Sequence, residues 1–195
     1  MNIIWHGHSC FEITGKDGTI VFDPYQANSV PGLNSLKLKA NLVLCSHEHD
    51  DHNARNCVEV APKDFKVTCI ETYHDHHQGS HRGKNTIHIV DFEADLAECQ
   101  ETKVVHMGDI GCMMDDVSKL KNCDVLMIPI GGYYTIDTKE ALKYIERIQP
   151  RIVIPMHYHS HEFGYDVLST NEEFIQQSSS VTYVDDCLEV NKDTK

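Results

Sequence analysis

Residues 42 to 53 read LVLCSHEHDDHN. Directly behind the apolar run, His47 to His52 packs three histidines and two aspartates into six residues. Buried alone, such groups would lose their hydration at high cost, so the segment needs partners or a ligand. His47 and His49 are two apart, and on a short extended turn both imidazoles point the same way. Asp51 and His52 follow and turn toward a second point. Imidazole nitrogen and carboxylate oxygen are ligands for zinc, manganese and iron. Two divalent ions a few ångström apart need more than this segment carries, including a carboxylate able to bridge and histidines from distant loops.

The elements that must position those groups can be read from the apolar pattern. Asn2–Trp5, Cys10–Ile13, Thr19–Phe22, Leu42–Cys45, Lys66–Ile70, Thr86–Phe92, Lys103–His106, Val125–Pro129, Ile152–Pro155 and Val181–Val184 read as short strands. Asp137–Ile148 is the clearest helix, with Asp137 and Glu140 placed as a capping box, an apolar face of Ala141, Leu142, Ile145 and Ile148, and Pro150 as a stop. A second helix is expected from Ser169 or Thr170, with weaker ones near Asn53–Ala61 and Met113–Lys121. An early meander followed by alternating strands and helices predicts a mixed sheet, or two packed sheets, with outer helices. No linker or repeat divides the chain, so residues 1–195 are read as one domain. Polar clusters follow the ends of apolar strands again and again: NIIW then HGHS, TCIET then YHDHH, KVV then HMGD, IVIP then MHYH. Strand ends are where a rigid sheet converges loops on one point, and many of the 14 histidines fall there.

Composition excludes several function classes. Apolar residues make up 41% and charged residues 24%, ordinary for a globular chain, and the formal net charge is −13. An acidic surface repels phosphate backbones and anionic lipid, which argues against nucleic-acid and membrane partners. The start MNIIWHGHSC does not read as a signal peptide, and no run has the length of a membrane span. The eight cysteines are scattered, with no CxxC pair, and several sit in apolar strands (Cys45, Cys69). The expectation is a cytoplasmic protein with reduced, mostly buried thiols.

His47-x-His49-x-Asp51-His52 resembles the HxHxDH motif of the metallo-β-lactamase superfamily, and the resemblance runs along nearly the whole chain. His74 in ETYHD, Asp109 in HMGD and His157 in IPMHY fall where that superfamily has further metal ligands. The stretches WHGHSCFEI, VFDPY and PIGGYYTID resemble its small branch of ascorbate-phosphate lactonase-like and metal-dependent hydrolases. The resemblance implies a four-layer αββα sandwich (α/β, α+β) with the site at one edge of the sheets. It implies two divalent metal ions, zinc first and manganese or iron as alternatives. His47, His49 and His74 would hold one ion; Asp51, His52 and His157 the other; Asp109 would bridge. An activated hydroxide would then attack a small, anionic ester or lactone. A small phosphodiester, or a non-catalytic metal- or ligand-binding role on the same fold, are the alternatives. Asp109 stands where β-lactam-cleaving members carry cysteine, and His49 where oxygen-reducing di-iron members carry glutamate, so neither activity is expected.

Other residues keep open roles at this level. His8, with Asp51 and Asp109, is a candidate for the chemistry, hydrogen-bonding substrate or holding a metal ligand, or else it is a satisfied structural histidine at a strand end. Asp23 in VFDP is read as accepting a proton from a ligand histidine. His76, His77 or His81 could replace His74. Gly131 and Gly132 could admit a ligand or simply turn the chain. Tyr133, Tyr134 and Tyr158 are candidate substrate contacts, while Arg82 and Lys84 read first as a solvated basic pair and second as anion contacts. Assembly into a homo-oligomer is open.

Overall fold

The computed structural model describes residues 1–93, 101–185 and 187–194. Twelve strands alternate with few helices: β1 (Asn2–Gly7), β2 (Cys10–Gly15), β3 (Gly18–Phe22), β4 (Leu38–Ala40), β5 (Leu42–Leu44), β6 (Val58–Val60), β7 (Lys66–Tyr73), β8 (Lys84–Phe92), β9 (Thr102–His106), β10 (Val125–Pro129), α1 (Thr138–Ile148), β11 (Ile152–Met156), α2 (Glu172–Gln177) and β12 (Leu188–Glu189). They form two five-stranded sheets, ordered β12-β1-β2-β3-β5 and β11-β10-β9-β8-β7, and a small β4-β6 ribbon.

The period-2 pattern of the strands sets the layers. From the first sheet Ile3, Phe11, Ile13, Ile20 and Phe22 face inward, against Val90, Phe92, Val104, Val125 and Met127 of the second. The alternate residues of the second sheet, Ile87, Ile89, Val105, Leu126 and Ile128, face outward onto Ala141, Tyr144 and Ile148 of α1 and Phe174 of α2. All five residues of β10 are buried, which is why VLMIP is apolar without a break. The outer face of the first sheet is covered differently. Cys10 and Val21 pack under Tyr25, Val30, Ala40 and Val58, from the segment after β3 and the β4-β6 ribbon. Helix α1 starts at the expected cap: Glu140 N donates to Asp137 Oδ1 at 2.9 Å and Asp137 N to Glu140 Oε2 at 3.2 Å.

Several expected elements differ. Val181–Val184 is not a strand; Tyr183 is 80% exposed there, and the edge of β1 is taken by β12 instead. Asn53–Ala61 makes one 3₁₀ turn, Arg55–Cys57, before β6, and Met113–Lys121 only the turn Ser118–Leu120. Helix α2 begins at Glu172, past Ser169 and Thr170, and spans six residues. The thiols are less buried than expected. Of the seven described cysteines, all free, only Cys10 and Cys123 are buried, and Cys69 faces solvent because β7 is an edge strand. Cys99 lies outside the described residues. No helix among the described residues is long and apolar enough to cross a membrane.

Topology brings the polar strand ends together. β1 and β3 are each antiparallel to β2, and β3 is parallel to β5. β7 and β9 are each antiparallel to β8, and β9, β10 and β11 run parallel. Within each sheet these strands therefore end on one edge.

Candidate metal centre

The ends of β1, β3, β5, β7, β9 and β11 deliver His8, Asp23, His47 to His52, His74, Asp109 and His157. Several of these carry an unusual backbone. φ is +51° at His8, +41° at Asp23 and +53° at His157, and Gly108, ahead of Asp109, has +55°. Non-glycine residues persist in the left-handed region, at roughly 1–3 kcal/mol each, only where the surrounding fold over-determines them. Gly108 itself has no alternative, since a Cβ there would meet Asn85 Oδ1 at 2.3 Å and Ser46 Cβ at 2.4 Å. Gly131 is needed for a similar reason: its missing Cβ would lie 2.1 Å from the carbonyl oxygen of His157.

The ligand-type atoms form two sets. The Nε2 or Nδ1 nitrogens of His47, His49 and His74 gather within 4.8 Å of one another, and so do the donor atoms of His8, Asp51, His52 and His157. We call these the outer trio and the inner quartet. Asp109 spans them. Its Oδ2 lies 2.9 Å from His157 Nε2, 3.1 Å from His52 Nε2 and 3.3 Å from His74 Nε2. Donors about 2.0–2.2 Å from a shared ion stand about 3–3.5 Å apart, so these separations suit edges of a coordination polyhedron.

The far side of each ring fixes its tautomer. His52 Nδ1–H donates to Asp23 Oδ2 at 2.8 Å. Ser46 Oγ donates to the same oxygen at 2.6 Å, so it accepts from His47 Nδ1 at 2.9 Å. His74 Nδ1–H donates to the Tyr134 carbonyl at 3.1 Å. Each of the three rings therefore turns an Nε2 lone pair toward the centre. His47 Nε2, His52 Nε2 and Asp109 Oδ1 are buried without hydrogen-bond partners, a costly arrangement unless a ligand takes them up. Electrostatics agree. Burial alone would keep His52 neutral, but Asp109, Asp23 and Asp51 press on it and raise its pKa well above the usual value. Burial pushes Asp109 up, yet His157 and His52 hold it well below the carboxylate range. By contrast burial lowers His8 to about 4 and His47 to about 3, so those rings are neutral donors. The pocket is built to hold cationic charge, and its nitrogen-and-oxygen donor set fits divalent metal ions.

Among the alternatives to His74, none enters either set: His76 is exposed, 3.8 Å from Glu140, and the rings of His77 and His81 pair at 4.3 Å. Tyr158 needs correction as a substrate contact. It is 9% exposed, and its ring packs 5.6 Å from Trp5 and 6.0 Å from Phe163, because the chain turns it into the aromatic core just after His157. Tyr133 is 65% exposed beside Tyr134. Sequence reasoning missed three supports. Asn85 Oδ1 accepts from Asp109 N at 2.8 Å while its amide donates to Thr72 Oγ1 and the Met107 carbonyl. His106 Nε2–H donates to the Ser9 carbonyl and its Nδ1 accepts from Gly108 N. Tyr165 OH lies 2.8 Å from the Ser29 carbonyl and 3.2 Å from Asp51 Oδ2. Asn85 stood just ahead of the predicted strand Thr86–Phe92 and lies inside the observed β8, so no pattern marked it.

Two sheets with outer helices and a histidine-aspartate centre at the strand ends define an α/β sandwich of the metallo-β-lactamase type. Residues 2–157 match the family model described as "Beta-lactamase superfamily domain", and the chain belongs to that family. It is 27% identical over 206 residues to a UPF0173 metal-dependent hydrolase of Thermoplasma acidophilum, covering 89% of this chain and 88% of that one. Another UPF0173 metal-dependent hydrolase, from Staphylothermus marinus, is 30% identical over 191 residues, covering 79% and 82%. Among solved structures, a Thermotoga maritima protein assigned to the Zn-dependent hydrolases of the metallo-β-lactamase superfamily superposes with a TM-score of 0.76 at 26% identity, covering 100% of this chain and 94% of that one. These relatives place the chain among the metal-dependent hydrolases of the superfamily.

Proposed function

We propose that the centre takes two divalent metal ions, zinc by preference, and hydrolyses a small anionic ester or lactone. The observation that carries the reading is the position of Asp109 Oδ2 within 2.9–3.3 Å of Nε2 atoms from both donor sets. Such ions, when bound, lower the pKa of a coordinated water toward about 7 and polarise the oxygen of the scissile group. His47, His49 and His74 would hold one ion, Asp51, His52 and His157 the other, with Asp109 shared. The chain's own groups do the rest. The Asp51 side chain is 16% exposed against 2% for Asp109, so of the two carboxylates Asp51 is the one open to pass on a released proton.

An anionic substrate is favoured by Arg82. Its guanidinium stands 5.1 Å over the Tyr134 ring and 5.9 Å from that of Tyr133, with no carboxylate partner among the described residues. The backbone carbonyl of the same Tyr134 holds His74 at 3.1 Å, which links the segment under this cation to the centre. Two divalent ions would also outweigh the carboxylates of Asp51 and Asp109, leaving a positive pocket in a chain of net charge −13. The test is turnover of a panel of lactones, carboxylic esters and phosphodiesters by metal-loaded protein, with Asp109→Asn as control. We expect a lactone or ester bearing a carboxylate or phosphate to be cleaved. Preference for phosphodiesters would redraw the substrate class, and no turnover across the panel would leave a binding role.

A further inference from the structure

Among the described residues, His8 is the histidine with both ring nitrogens buried and neither hydrogen-bonded. Its side chain is fully buried. A neutral imidazole has one donor and one acceptor, and leaving both unmade in the interior is costly. The backbone there is also strained, with φ at +51°. That conformation is locked from outside, since Trp5 Nε1–H donates to the His8 carbonyl at 3.1 Å and His157 N donates to it at 3.3 Å. The strain and the unmet nitrogens are thus stable features of the turn between β1 and β2.

The ring is aimed at the inner quartet. His8 Nε2 lies 3.3 Å from Asp51 Oδ2, a separation suited to two donors on one ion, yet the contact is not a hydrogen bond. The ring centroid is 4.1 Å from that of His157 and 5.3 Å from that of His52. We infer that His8 Nε2 is a further protein ligand of the ion held by Asp51, His52 and His157. This rests on the two-ion reading above and goes beyond it, because it makes the two ions unequal. Counting Asp109 for both, the inner ion would have five protein donors and the outer ion four. The inner ion is then close to saturated by protein, and the outer ion carries the exchangeable position where substrate enters, on the side of the exposed His49.

The experiment loads the full chain with ¹¹³Cd²⁺ after ¹⁵N labelling of histidine. Scalar coupling between cadmium and a ring nitrogen reports direct coordination, and the His8 signal is identified by its loss in His8→Asn, a residue that tolerates left-handed backbone. A Cd–¹⁵N coupling at His8 is expected; absence of coupling at His8 with coupling present at His52 and His157 overturns the inference. In parallel, chelator competition with Co²⁺ should show one of two binding steps weakened tenfold or more in His8→Asn, while the melting temperature of the metal-free variant stays near that of the metal-free wild type. Two unchanged binding steps would overturn it as well. A wild-type chain that saturates at one ion would instead sink the two-ion reading, and with it this one.

Discussion

The inner quartet and the outer trio meet at the Asp109 carboxylate by different routes. The quartet is buried at His8, His52 and His157, and two of those three sit on left-handed backbone. Its remaining member, Asp51, is touched by the Tyr165 hydroxyl. The trio reaches the rim through one member: His49 is exposed and has no hydrogen-bond partner among the described residues, while His47 and His74 are buried and each steadied by one hydrogen bond. A rigid, strained, dry set holds its geometry before any ligand arrives, which favours retention and orientation. A set with one loosely held imidazole at the rim can adjust as ligands exchange. On the two-ion reading proposed above, the inner side would serve retention and the outer side substrate exchange.

The largest expected effect removes what the two sets share. Asp109→Asn keeps the shape but loses the charge between the sites, and should lower kcat on any cleaved substrate by roughly a hundredfold or more. Near-normal kcat with both ions bound would mean that the carboxylate is structural. Next, His49→Ala takes one donor from the rim alone. Removing even an outer partner of a ligand costs about 10–100-fold in metal affinity, so one binding step should weaken by roughly a hundredfold while the other holds. Equal weakening of both steps would erase the distinction between the sets.

Asp23→Asn should instead act on both sets at once, by about 10–100-fold, because Asp23 fixes His52 directly and His47 through Ser46. A metal titration in which only one step moves would show that the Ser46 relay does not matter. His88 offers a comparison outside both sets. It is buried beside Phe22, and burial lowers its pKa from 6.5 to about 4. Since the folded pKa lies below the unfolded one, the unfolded chain binds the extra proton between them. The group's contribution is therefore intact above pH 6.5 and lost as pH falls toward 4. Urea titrations of metal-free protein should show that slope, and His88→Leu should flatten it; an unchanged slope would assign the acid sensitivity to the centre itself. The smallest effect is expected from Tyr165→Phe, which removes a hydroxyl from Asp51 and should loosen the inner ion by less than about tenfold in the same titration.

How much of this could be read from the chain differs by residue. The strand ends were legible because NIIW, VLC, KVV and IVIP stop abruptly at polar clusters, and α1 because Asp137 and Glu140 mark its cap. The donors of the hexad were legible from their types and spacing, and His74, Asp109 and His157 through the resemblance to the metallo-β-lactamase superfamily. Asn85 and Tyr165 were not, since an asparagine in a strand and a tyrosine in a loop have no spacing rule; Asn85 meets Asp109 across 24 residues and Tyr165 meets Asp51 across 114. Tyr158 looked like a rim residue beside His157, and only the packing of Trp5 and Phe163 shows that it belongs to the core. Val181–Val184 has the composition of a strand, but a strand requires a neighbour, and the edge of β1 was already occupied by β12. Residue types and local periods thus determined which atoms can bind metal and where the chain stops being strand. Which nitrogen faces inward, which carboxylate is shared, and that His8 stands with the donors were decided by tertiary structure, because tautomer, burial and separation depend on groups that meet only when both sheets close.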